Sequence, residues 1–63
     1  MFIFFKHQGK TLGAFELRNI RGVHYDETSQ RATVMFQAGT RCAIATIPST
    51  QAEFLQFIEQ LQN

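Results

Sequence analysis

The chain predicts an α+β fold: an antiparallel β-meander of about four to five strands, followed by one C-terminal amphipathic helix packed on one sheet face. Three observations carry this. Apolar and polar residues alternate with period two from Ile20 to Asp26 and, more clearly, from Arg31 to Gln37. Turn-forming pairs punctuate that alternation at short intervals. After Pro48 the apolar period changes to 3.6. The 63 residues amount to one domain with a thin core, since a chain this short buries only about 60% of the surface its unfolded form exposes.

Strands are expected at about 2–6, 11–17, 20–26, 31–37 and 41–47, and a helix at about 50–62. Gln8-Gly9 separates two apolar runs, and a two-residue turn there sets Phe5 opposite Leu12 and Ile3 opposite Ala14. Arg18-Asn19 offers a corner, because Asn tolerates the left-handed conformation. In the next strand Val23 and Tyr25 share a face, and in the one after it Ala32, Val34 and Phe36 do. A four-residue loop over 27–30 pairs Val23 with Val34 and Tyr25 with Ala32, so the two apolar sets coincide. A three-residue loop at Ala38-Gly39-Thr40 sets Cys42 across from Phe36 and Ile44 across from Val34, and turns Ala43 and Ala45 outward.

Thr50-Gln51-Ala52-Glu53 fits a capping box, in which the Thr hydroxyl and the Glu carboxylate each satisfy a free backbone amide. Phe54, Phe57, Ile58 and Leu61 then follow at helical spacing, with Leu55 and Ala52 widening the stripe.

The composition excludes several functions. With 44% hydrophobic residues, including seven Phe, the chain is too apolar for a disordered tail. The lone Cys42 leaves no internal disulfide and no CxxC pair, which fits a reducing cytoplasm, and a buried place in a strand is its ordinary use. The opening Phe-Ile-Phe-Phe stops at Lys6 with no small-residue cleavage site after it, so it is read as a strand and not as a secretory signal. No segment approaches the roughly 20 apolar residues of a membrane span, and no membrane partner is expected. Net charge is +1, divided as +3 over the first 48 residues and −2 over the remainder.

The catalytic inventory is sparse. His24 and Asp26 point to the same side of one strand, but no Ser or Cys nucleophile stands beside them, and no enzyme is expected. His7, His24, Asp26 and Cys42 have no metal-ligand spacing, and the four glycines form no phosphate-binding loop, so neither metal nor cofactor is expected.

Two surfaces suggest binding. In the first strand Phe2 and Phe4 point one way and Ile3 and Phe5 the other, so both faces are large and apolar where one helix covers a single face. Together with Met35, Ala43 and Ala45 these residues are the interface candidates of a homo-oligomer that binds a protein partner. Alternatively Arg21, Arg31 and Arg41, interleaved with aromatics on strands, hold nucleic acid. In size and outline the chain resembles short hairpin-and-helix proteins of bacteria and bacteriophages, a resemblance that carries no site.

Overall fold

The computed structural model describes residues 1–62; Asn63, the last residue of the expected domain, lies outside them. The architecture is α+β, with five antiparallel strands and a C-terminal helix packed on them: β1 (Phe2–His7), β2 (Lys10–Glu16), β3 (Ile20–Asp26), β4 (Arg31–Ala38), β5 (Arg41–Pro48) and α1 (Gln51–Leu61). The meander is divided into a two-stranded sheet, β1-β2, and a three-stranded sheet, β3-β4-β5. A single 3-10 turn at Leu17–Asn19, the corner anticipated at Arg18-Asn19, separates β2 from β3.

Gln8 and Gly9 both have positive φ, the requirement of a type I′ turn, and they close β1 onto β2 with His7 opposite Lys10. The expected pairing continues only to Lys6 opposite Thr11. A bulge then shifts it by one, so that Phe5 faces Gly13 and Ile3 faces Phe15, not Leu12 and Ala14. Leu12 is the extra residue and turns to the surface, while Gly13 and Phe15 join Ile3 and Phe5 on the inner side.

The space beside Gly13 is taken by the Phe15 ring: a Cβ there meets Phe15 Cε2 at 2.9 Å and Ile47 Cδ1 at 3.5 Å. Gly13→Ala is therefore expected to cost about 1–3 kcal/mol in urea unfolding, because both neighbours are buried. Gly22→Ala meets only the mobile end of Met35, Cε at 2.7 Å, and is expected to change stability far less.

The β3-β4 hairpin has the expected register, Val23 opposite Val34 and Tyr25 opposite Ala32. Its four-residue loop is held by Asp26, which accepts from the Thr28 amide and the Ser29 hydroxyl, both at 3.0 Å. At the next turn the expectation fails. Ala38 pairs with Arg41, so the loop is the two residues Gly39-Thr40, with Gly39 at φ 64° supplying the left-handed first position. One residue fewer reverses the faces of β5. Ala45 opposes buried Val34 and packs against the core, Ala43 opposes Phe36, and Cys42 and Ile44 are exposed.

The core is built from Ile3, Phe5, Phe15, Ala32, Val34, Ile47 and Phe57, contributed by four strands and the helix. The capping box forms as expected: Thr50 Oγ1 accepts from the Glu53 amide at 3.2 Å, and Glu53 Oε1 accepts from the Thr50 amide at 2.9 Å. Phe57 is buried, and Phe54, Ile58 and Leu61 are half-buried, but Leu55 and Ala52 fall outside the stripe and are exposed. The helix runs antiparallel to β1, since Glu53 meets His7 and Gln60 meets Phe4.

Candidate protein-contact surfaces

The first strand is two-sided, as its sequence implies, but its two sides differ. Ile3 and Phe5 belong to the chain's own core and offer nothing to a partner. Phe2 and Phe4 face outward, 62% and 45% exposed. The β2 bulge adds Leu12, 45% exposed, and Ala14 lies directly opposite Phe4. An apolar outer face thus covers the first hairpin, with Lys6, Lys10 and Glu16 exposed or half-buried at its margin.

The backbone beneath this face is fixed. Gln60 Oε1 accepts from the Phe4 amide at 2.9 Å while its Nε2 donates to the Phe4 carbonyl at 2.7 Å, so the side-chain amide takes the place of a neighbouring strand. At the other end of the helix Glu53 Oε2 accepts from the Gln8 amide at 2.7 Å, and Oε1 lies 2.7 Å from His7 Nδ1. An ionised carboxylate only accepts, so Nδ1 is the nitrogen that carries hydrogen. Hydrogen bonds from the Thr50 amide, from His7 and from the Gln8 amide lower the Glu53 pKa to about 2.

The outward face of the second sheet is mostly polar. Its apolar exception is the pair Met35 and Ile44, which lie opposite each other; Met35 is half-buried over Gly22 and Ile44 is 66% exposed. Of the seven interface candidates, Phe2 and Phe4 are exposed and Met35 is half-buried. Ile3 and Phe5 are core, and Ala43 and Ala45 turn toward it because the loop is shorter than expected. Sequence reasoning missed Leu12 and Ile44, whose outward turn depends on a bulge and on a loop length.

The arginines are dispersed. Arg31 begins β4 and Arg41 begins β5, opposite ends of one hairpin and about 23 Å apart over seven residues of strand. Arg21 sits in the β3 bulge, where Nη1 donates to the Arg18 carbonyl at 2.8 Å. His24 and Asp26 share the outer face, yet both Asp26 oxygens are committed to the adjoining loop, and the Ser29 hydroxyl and Thr28 amide hold its carboxyl below the usual range. No group of three metal-ligating side chains occurs among the described residues, and no described helix is long and apolar enough to cross a membrane. A shallow pocket of about 270 Å³ lies between Met1, Glu16, Leu17 and Arg18, where Glu16 is already paired with the Met1 amine at 2.7 Å. Compared with known proteins, the chain matches no family model, no curated protein and no solved structure.

Proposed function

We propose that the chain is a small non-enzymatic protein-binding or regulatory module, working as a homo-oligomer, that offers the outer face of its first hairpin to a protein partner. The observation that supports this is the grouping of Phe2, Phe4 and Leu12 on one face of a hairpin whose first strand is hydrogen-bonded at Phe4 to the Gln60 side chain. Exposed apolar side chains standing singly are ordinary, whereas a contiguous group is the surface that protein contacts use. Aromatic anchors also carry a disproportionate share of binding energy. The exposed arginines keep such a face in solution without themselves forming one cationic patch.

The test is a variant carrying Phe2→Ser and Phe4→Ser together. Both side chains point away from the core, so circular dichroism and the melting temperature are expected to stay close to wild type. Proteins retained by immobilised wild type, after nuclease treatment, are expected to be lost from the variant. Retention by both alike would sink the reading. Light scattering at tens of micromolar reports the oligomeric state, and a clean monomer would remove that part of it. Oligonucleotide binding that weakens steeply with salt would favour the arginines instead.

A further inference from the structure

We propose that two copies of the chain join β5 to β5 across a two-fold axis at Ile44, making one continuous six-stranded antiparallel sheet. The inference rests on the homo-oligomer reading above and says where the copies meet. It follows from asking which strand edges are protected, because an unpaired edge is a template for another strand unless charge, a bulge or a covering element blocks it.

The β1 edge is covered by α1 through Gln60. The β2 edge is broken by the bulge at Leu12 and flanked by Lys10 and Glu16. The β3 edge is broken by the bulge at Arg21 and ends in Asp26. By contrast β5 pairs with β4 in one unbroken register over eight residues and carries no charge from Cys42 to Pro48. The capping that Gln60 gives Phe4 has no counterpart on this edge among the described residues.

The backbone groups on that edge are fixed by parity. The Ser49 amide donates to the Gln30 carbonyl at 3.0 Å, continuing the β4-β5 ladder, and bonded positions alternate along an antiparallel pair. Arg41, Ala43, Ala45 and Ile47 therefore bond β4, while Cys42, Ile44, Thr46 and Pro48 turn their backbone groups outward. Pro48, which has no N–H, is tolerated because its nitrogen faces the free edge.

These positions choose the register. Centring on Ile44 sets Ile44 opposite its own copy and Cys42 opposite the partner's Thr46, so every outward N–H and C=O of residues 42, 44 and 46 is paired. Centring one residue later sets Cys42 against the partner's Pro48, whose ring points at the Cys42 carbonyl with nothing to donate. Centring one residue earlier leaves Thr46 without a strand partner. The Ile44 register also brings the two exposed Ile44 side chains together on one face, with Met35 beside each. Charge agrees with it. The one charged residue of β5, Arg41, is three positions from the axis, so it and its copy lie about 20 Å apart along the strands. Because β5 belongs to the second sheet, the contact leaves the first hairpin free.

Disulfide trapping in the full chain tests the register. Directly opposed strand residues bring their Cα atoms to about 5.5 Å, within disulfide reach, whereas Cys42 and its own copy would be about 14 Å apart in this register. Under mild oxidation wild type is expected to stay unlinked, while the double variant Cys42→Ser, Ile44→Cys forms a covalent dimer on a non-reducing gel. Ile44→Lys places two charges on the axis and is expected to halve the mass seen by light scattering, with the fold intact by circular dichroism. Wild-type linkage through Cys42, or a dimer that neither links through position 44 nor dissociates with Ile44→Lys, overturns the β5 contact and leaves the homo-oligomer reading standing. A wild-type monomer overturns both.

Discussion

Phe57→Ala is expected to abolish the cooperative folding of this protein. Phe57 is 1% exposed and is the buried residue of α1, the one it sends deepest into the core. Its ring lies 4.8 Å from Phe5 on β1, tilted by 37°, and meets Phe15 on β2 edge-on at 5.9 Å. Phe15 in turn meets Phe36 on β4 at 5.4 Å. One side chain thus links the helix to the first sheet directly and to the second through one further ring. Truncating a buried Phe to Ala costs about 3–5 kcal/mol, while a domain of this length has roughly 3–9 kcal/mol of stability in all. The variant should lose its urea transition or move it to very low denaturant. Phe57→Leu keeps most of the volume and should cost less than about 1.5 kcal/mol. A Phe57→Ala protein that melts within a few degrees of wild type would mean that the core does not depend on this junction.

How far the sequence reveals this arrangement varies by element, and the reasons are local. The helix is legible because its cap, its period and its apolar stripe are independent signals that agree at Thr50, Glu53 and Phe57. The β3-β4 hairpin is legible because a one-residue slip would put Val23 and Tyr25 on the face opposite to Ala32 and Val34, and Asp26 stabilises the loop length that fixes the register. In β1-β2 the apolar residues stand on both faces, so the pattern does not penalise a shift, and the bulge that expels Leu12 leaves no trace except an adjacent glycine. In β4-β5 Gly39 suits a two-residue or a three-residue loop equally well, and Ala43, Ile44 and Ala45 are all apolar. The decision is made by packing Ile47 into the core, a long-range effect that no short window contains. The candidate surface inherits these limits. The excess of apolar side chains on β1 is visible in sequence, but which half of them is surplus becomes visible only when Ile3 and Phe5 are seen to fill the core.

Removing Glu53 is expected to give a loss that depends on pH. A single carboxylate accepts from the Thr50 amide at the helix start, from His7 at the end of β1 and from the Gln8 amide in the first turn. It therefore fastens the helix N-terminus to the hairpin as well as capping it. Glu53→Ala should cost about 1–2 kcal/mol at neutral pH, the range for losing a cap together with charge-assisted bonds. The folded-state pKa is lowered from the ordinary 4.5 to about 2, so as pH falls the unfolded chain takes up this proton first. Its contribution is complete above about 4.5, declines below that, and is gone once pH has passed about 2. Urea midpoints of wild type should fall across this window. Those of Glu53→Gln, which cannot titrate at this position yet keeps one oxygen for the cap, should fall less steeply and converge on wild type at the acid end. Parallel curves for the two proteins would show that the charge at this junction contributes nothing. A loss at neutral pH as large for Glu53→Gln as for Glu53→Ala would show that the ion, and not the capping oxygen, holds the helix to the hairpin.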